Sequence, residues 1–281
     1  MDKKYIHSFI ANALAEDVGD GDHTSLATIP AGTQGKARLL VKDTGILAGI
    51  ELSLEIFKQV DPNLKVNVLL QDGAAIKPKD IAFEVEGDAQ SILTAERLVL
   101  NCMQRMSGVA TKTHGIVELL KGTNTKVLDT RKTTPGMRYL EKWAVKIGGG
   151  VNHRFGLFDM ILIKDNHVDY SGGIKQAIRN TKHYLQKTGK KLAIEIEVRS
   201  LDELQQVLDE GGIDRILIDN FDLENLRKAV SMIGGKYETE ASGGITIDNI
   251  RQYAECGVDY ISVGALTHSV RSLDLSLKAV G

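Results

Sequence analysis

Between Asp129 and His167 the chain reads DTRKTTPGMRYLEKWAVKIGGGVNHRFGLFDMILIKDNH, and basic side chains concentrate there. Seven cations (Arg131, Lys132, Arg138, Lys142, Lys146, Arg154, Lys164) stand against four acids (Asp129, Glu141, Asp159, Asp165), seven minus four giving a local +3 in a chain of net charge −2. Arg131 and Lys132 come just after the apolar Val127-Leu128, and Lys164 just after Met160 to Ile163. Such runs read as short buried strands, and the C-terminal ends of parallel strands share one rim. Cations gathered on a rim beside a Gly-rich segment, 148–150, suit a multiply anionic small molecule. Arg138, Lys142 and Lys146, four residues apart after Pro135-Gly136, read instead as the solvated face of a helix.

Other strand ends carry complementary chemistry. Glu195 and Glu197 alternate with Ile194, Ile196 and Val198 and so share one face of a strand. Asp219 ends ILID, Ser242-Gly243-Gly244 follow the next strand, and Gly264-Ala265 the last. One Gly-Gly is ordinarily a tight turn. Two such loops on the final two units of a βα-barrel, with amides free beside a following helix, match a phosphate cradle. Glu197 and Asp219 could hold ribose hydroxyls or a magnesium ion; buried salt bridges to Lys164 and Lys132 are the structural alternative.

Elements must position these groups. From Lys126 onward strand and helix patterns alternate, with strands near 126–130, 160–164, 192–198, 215–219, 236–241 and 259–263, a capping box at Ser200 to Glu203 and an N-cap at Thr246. Six units imply an α/β fold: a barrel of six parallel strands or, alternatively, a doubly wound sheet. Upstream, residues 3–17 form an amphipathic helix that stops at GDGDHTS (19–25), a turn lacking the ligand spacing of a calcium loop. Strands at 36–41, 64–69 and 81–85, with a helix at 50–60, make an α+β domain with a one-sided sheet. A helix from about 91 to 120 is interrupted near Ser107-Gly108. Leu93, Arg97, Leu100 and Asn101 lie near one of its faces, where the two polar residues interrupt a stripe that otherwise reads as buried. Spacing alone makes Arg97 a helix-edge residue capping a carboxylate.

Composition narrows the class. The chain has 281 residues, 42% hydrophobic and 26% charged, as in globular proteins. No apolar run reaches membrane-spanning length, and the first residues do not resemble a signal peptide, so a cytoplasmic location is expected. Cys102 and Cys256 lack metal spacing and read as reduced structural thiols. A pI near 6.4 argues against nucleic acid as the main partner.

The strings DTRKTTPG, GGGVNHR, ILIKDNH, EIEV, LIDNF, SGGI and SVGALTHS, with EDVGDGDHTS near the start, resemble the quinolinate phosphoribosyltransferase family over nearly the whole chain. The resemblance implies an N-terminal open-faced sandwich at 1–112, on which 269–281 packs, and an incomplete barrel at 113–268. It implies transfer of phosphoribosyl from phosphoribosyl pyrophosphate to quinolinate with decarboxylation, magnesium as cofactor, and a homodimer or a hexamer of dimers. Arg131, His153 and Arg154 would face the quinolinate carboxylates, helped by Thr130, Lys132 and Lys164. Glu197 and Asp219 would hold ribose and magnesium, partly through substrate and water, and would act with Lys132 and Lys164 in catalysis. Ser242, Gly243, Gly244, Gly264, Ala265, Leu266 and His268 would hold the 5′-phosphate. Arg97 would enter the partner subunit's site, reversing the spacing-based reading. Gly211-Gly212 is one residue longer than in many relatives, yet counting back from Asp219 still selects Glu197 over Glu195.

Two rivals carry different chemistry: a βα-barrel lyase with Lys132 or Lys164 as Schiff base, and a non-catalytic phosphosugar sensor.

Overall fold

The computed structural model describes residues 3–280. In chain order the elements begin with α1 (Lys3–Val18), α2 (His23–Thr28), β1 (Gln34–Val41), β2 (Gly45–Ile46) and α3 (Ile50–Val60). Then come β3 (Lys65–Val68), β4 (Ala75–Ile76), β5 (Ile81–Asp88), α4 (Ala89–Leu119), β6 (Lys126–Leu128) and α5 (Arg138–Ile147). The series continues with β7 (Ile161–Ile163), α6 (Asp165–Ser171), α7 (Ile174–Thr188), β8 (Ile194–Val198) and α8 (Leu201–Glu210). It ends with β9 (Arg215–Asp219), α9 (Leu223–Ile233), β10 (Glu238–Ser242), α10 (Ile250–Ala254), β11 (Tyr260–Ser262), α11 (Ala265–His268) and β12 (Leu275–Ala279). No described helix is long and apolar enough to cross a membrane.

The described residues fall into two compact units, 3–114 with 134–149 and 269–280, and 115–133 with 150–268. The segment 134–149, which sequence places with the barrel, thus belongs to the first unit.

In the first unit an antiparallel sheet runs β12-β1-β5-β3. Ala37, Leu39 and Val41 alternate inward with a period of two, and Phe83 meets Phe57 of α3 edge to face at 5.6 Å between ring centroids. On the other face Glu84 takes Lys36 at 2.8 Å and Arg38 at 2.6 Å, so this side stays polar and open.

Helix α4 runs unbroken through Ser107-Gly108, against the expected interruption. The Ser107 hydroxyl accepts from the Ala48 amide at 2.9 Å, and a Cβ on Gly108 would sit 2.3 Å from Arg271 O. Here glycine serves close approach of another backbone, which local propensity cannot distinguish from a helix break. Similarly, a Cβ on Gly148 would lie 2.4 Å from Ala110 O, so that part of 148–150 is a packing device of the first unit. Lys142 is buried, contrary to the solvated face expected for it, while Lys146 is exposed. Buried Glu141 accepts from Arg105 Nε at 3.0 Å and Nη2 at 2.6 Å, and from Thr134 N at 3.1 Å and Oγ1 at 2.8 Å, tying α5 to α4.

Smaller local corrections follow from side-chain competition for amides. Residues 23–25 of the expected turn already belong to α2, because Asp22 accepts from Ser25 N at 3.1 Å. Ser200 caps α8 by accepting from Glu203 N, but Glu203 reaches back to the Arg199 amide. Asn249 precedes α10 and accepts from Thr246 N, so Thr246 is not the cap.

The second unit holds six strands in the order β6-β11-β10-β9-β8-β7, every pairing parallel. This is the βα-barrel left open between β6 and β7, with helices following the strands. On the free side of β6, Val151 bridges to Leu128.

Candidate active site

The strand ends of the open barrel enclose a cavity of about 880 Å³. Thr130, Arg131, Lys132, His153, Arg154, Lys164, Glu197, Asp219, Ser242, Gly243, Gly244, Gly264, Ala265 and His268 all line it, as do Asp165, Asn220, Glu240, Thr246 and Ser262. Leu266 does not; its side chain is in the core. Arg97 belongs to the first unit, where Leu93, Arg97 and Asn101 are all exposed on α4. The expected buried stripe is therefore a solvent-facing one, with only Leu100 of the four turned inward.

Register explains the convergence. Leu162, Glu195 and Arg215 stand level across β7, β8 and β9, and Glu197, Leu217, Glu240 and Tyr260 one layer further along. Asp219 and Ser242 come next, at the rim. Since paired residues in a parallel sheet point to one face, all of these enter the barrel.

The cationic side is crowded. Burial and the neighbouring Arg131 both work against charge on Arg154, so two guanidiniums stand together in a setting that favours an anion. Arg154 Nη1 donates to Met160 O at 3.3 Å, and Asp159 accepts from the Phe155 and Gly156 amides at 2.6 and 2.8 Å. Asp129, fully buried at the end of β6, accepts from the His153 amide at 2.8 Å.

Across the cavity, burial and then the nearby Asp219 raise the pKa of Glu197, against the pull of Lys164, whose Nζ lies 4.0 Å away. The Lys164 contact is part of the salt-bridge alternative read from sequence. At this distance, with Lys164 half-exposed, the pair leaves both groups available to a ligand.

The glycine loops are shaped by close approach. Gly243 has φ of 86° and Gly244 of 62°, regions that L side chains avoid. A Cβ on Gly264 would meet Lys132 Cδ at 3.0 Å and the His268 ring at 3.2 Å. The backbone of Lys132 is held from below, its carbonyl accepting from Thr267 Oγ1 at 2.8 Å.

Sequence reasoning missed Glu240 and Asn220. Glu240 lies in the barrel interior beside Glu195, and His153 Nε2 is 3.0 Å from Glu195 Oε2 and 3.4 Å from Glu240 Oε2. Burial opposes charge on His153, but the two carboxylates outweigh it and raise the affinity of the imidazole–carboxylate group as a whole for an added proton. Burial and then Glu240 push Glu195 up to about 7. The trio therefore retains a proton at neutral pH. Because His153 Nδ1 accepts from the Arg154 amide at 2.7 Å, the neutral ring carries its own hydrogen on Nε2, and the added proton sits on the Glu195 carboxyl group. Alternation with Thr239 and Ala241, which puts Glu240 on one face with Glu238, was the available signal, although only Glu240 is buried.

Fold and site together define an open six-stranded βα-barrel whose rim is built for polyanions, with a carboxylate pair opposite its cations. Comparison with known proteins is consistent with this class. Residues 22–107 match the model of the quinolinate phosphoribosyl transferase N-terminal domain, and residues 109–278 that of its C-terminal domain. The chain belongs to the quinolinate phosphoribosyl transferase family. It is 47% identical over 282 residues to the chloroplastic nicotinate-nucleotide pyrophosphorylase [carboxylating] of Oryza sativa subsp. japonica, covering 95% of this chain and 75% of the relative. With the probable enzyme of that name from Bacillus subtilis it shares 40% over 276 residues, 98% of this chain and 92% of the other. The solved nicotinate-nucleotide pyrophosphorylase of Francisella tularensis superposes with a TM-score of 0.92 at 39% identity, over 100% of this chain and 98% of that one.

Proposed function

We propose that the chain transfers phosphoribosyl from phosphoribosyl pyrophosphate to the ring nitrogen of quinolinate, releasing pyrophosphate and carbon dioxide and giving nicotinate mononucleotide for NAD synthesis. The observation that carries this reading is one cavity combining four cations (Arg131, Lys132, Arg154, Lys164), the carboxylates Glu197 and Asp219, and two glycine loops.

Arg131 and Arg154, with Lys132 and Lys164, pair with the two carboxylates of quinolinate and aim its weakly nucleophilic nitrogen at the ribose. Both ring nitrogens of His153 have protein partners, so His153 supports the arginines instead of meeting the substrate through a ring nitrogen. Amides of 242–244 and 264–265, with His268, cradle the 5′-phosphate. Displacing pyrophosphate builds positive charge on the ribose and negative charge on the leaving group. Lys132 and Lys164 stabilise the latter, and Glu197 and Asp219 the former as well as the ribose hydroxyls. Once glycosylated, the pyridinium accepts the electron pair left by the departing carboxylate, so no decarboxylating base is needed.

The carboxylate pair also fits magnesium. Glu197 and Asp219 offer hard oxygen donors on adjacent strands, and both the burial and the Asp219 repulsion that raise the pKa of Glu197 are offset by a divalent cation. Glu197 and Asp219 would hold it together with substrate oxygens and water. When bound, it supplies charge neutralisation for the pyrophosphate.

In a homodimer, exposed Arg97 completes the partner's site. The exposure of Leu93 beside it supports an interface on this face of α4. A cytoplasmic setting suits two free, buried cysteines. The test is incubation of pure protein with quinolinate, phosphoribosyl pyrophosphate and magnesium. Nicotinate mononucleotide and carbon dioxide formed in equal amounts support the reading; no product refutes it, and borohydride trapping of Lys132 or Lys164 with a carbonyl substrate would favour a lyase.

A further inference from the structure

Four successive amides in the loop that carries the substrate arginine are tied down. His153 N donates to Asp129 at 2.8 Å, Arg154 N to His153 Nδ1 at 2.7 Å, and Phe155 N and Gly156 N to Asp159. Three of these ties use carboxylates, which accept through either oxygen and have no tautomer to choose. The Arg154 tie uses an imidazole nitrogen, which accepts only when it bears no proton.

The state of that ring is fixed from its other side. With Nδ1 accepting, the ring proton is on Nε2, and Nε2 faces Glu195 Oε2 at 3.0 Å and Glu240 Oε2 at 3.4 Å. Both glutamates are fully buried. Apart from the imidazole, neither oxygen of Glu195 has a hydrogen-bond partner among the described residues, and Glu240 is shared with Arg215 at 3.4 Å and with the Ser262 hydroxyl. Two buried carboxylates from two strands are thus directed at one N–H. Were the ring to take the opposite tautomer, Nδ1–H would oppose the Arg154 N–H donor to donor, and Nε2 would turn a lone pair on carboxylate oxygens. Both contacts would become repulsive.

We propose that Glu195 and Glu240 are positioning residues for substrate: they lock His153 in its Nε2–H tautomer, so that Nδ1 fixes the Arg154 amide and with it the guanidinium that pairs with a pyridine dicarboxylate. The inference rests on the quinolinate reading for its substrate. Its structural core, the tautomer, stands independently of that reading. A metal centre is the competing use of these three side chains, whose ligand atoms lie within 4.8 Å of one another. It would need the Nε2 lone pair while Nδ1 also accepts, which leaves an imidazole with no proton at all.

Two measurements test this. Nitrogen-15 NMR of histidine-labelled protein at pH 7, with His153 assigned by loss of its signals in His153→Asn, should show a protonated Nε2 and an unprotonated Nδ1. The reverse tautomer, a doubly protonated ring, or signals displaced on adding stoichiometric zinc and restored by chelator would each overturn the proposal. Kinetically, Glu195→Gln keeps an acceptor for Nε2–H and should hold the KM for quinolinate within about threefold. Glu195→Leu removes the acceptor and should raise that KM by about tenfold or more, with the KM for phosphoribosyl pyrophosphate changed by less than about twofold. Equal effects on both substrates, or no effect of Leu, would overturn it. If Glu195→Leu does not fold, the NMR experiment on the unaltered chain decides. Failure of the wild type to turn over quinolinate would refute the proposed function but leave the tautomer result to be read.

Discussion

Asn220 and Gly243 lock together at the rim of the barrel. Asn220 adopts left-handed backbone with φ of 56°, its amide donates to Ser242 O at 2.9 Å, and a Cβ on Gly243 would lie 2.3 Å from its Oδ1. The Asn220 side chain in turn donates to Asp219 Oδ2 at 2.6 Å. A carboxylate proposed to hold ribose and a loop proposed to hold phosphate are thereby set by one asparagine.

Gly243→Ala should therefore disturb both. It forces a methyl into Asn220 and an L residue into φ of 86°, a strain of order 1–3 kcal/mol. The KM for phosphoribosyl pyrophosphate should rise by about tenfold or more while that for quinolinate changes less, as read from steady-state kinetics with each substrate varied.

Lys132→Ala and Lys164→Ala each remove a cation from the cavity. By analogy with losing one preorganised transition-state donor, kcat should fall by about two to three orders of magnitude with the far-UV circular dichroism unchanged. Near-normal turnover in either variant would return that lysine to the solvated surface.

Glu141→Ala addresses stability. It takes the acceptor from Arg105 and Thr134 within a buried network, leaving Arg105, whose side chain is 20% exposed, without its main counter-charge. Breaking such a pair from one side costs about 3–5 kcal/mol. Urea unfolding should show the midpoint falling accordingly.

Much of this architecture was legible in the sequence. The six barrel strands fall within a few residues of their expected places because short apolar runs with polar residues directly after them are constrained by burial and by the rim at once. The rim cations, Glu197, Asp219 and the glycine loops were legible for the same reason. What was hidden depends on long-range contact. Gly108 looks like a helix break and Gly148 like part of a ligand loop until Arg271 O and Ala110 O come within reach of their Cβ positions. Lys142 looks solvated until its helix is buried, and Glu240 gains meaning only from His153 and Glu195, far away in sequence.

Arg97 offers a test of assembly. Arg97→Ala and Lys164→Ala proteins, each strongly impaired, are mixed, dissociated and allowed to reassociate. If Arg97 serves the partner's site in a symmetric dimer, half the dimers are mixed and each has one complete site, so about a quarter of all sites regain activity. A mixture as impaired as its parents would place Arg97 in its own chain's site or outside any site.

The central claim is that the cavity is built for two carboxylates on one ring. Its most direct measurement is kcat/KM for quinolinate against nicotinate, with phosphoribosyl pyrophosphate and magnesium saturating. A substrate lacking one carboxylate leaves a cation of the Arg131 and Arg154 group without a partner beneath the bound ring, so quinolinate should be preferred by about 10³-fold or more. Comparable turnover of the two would contradict the account.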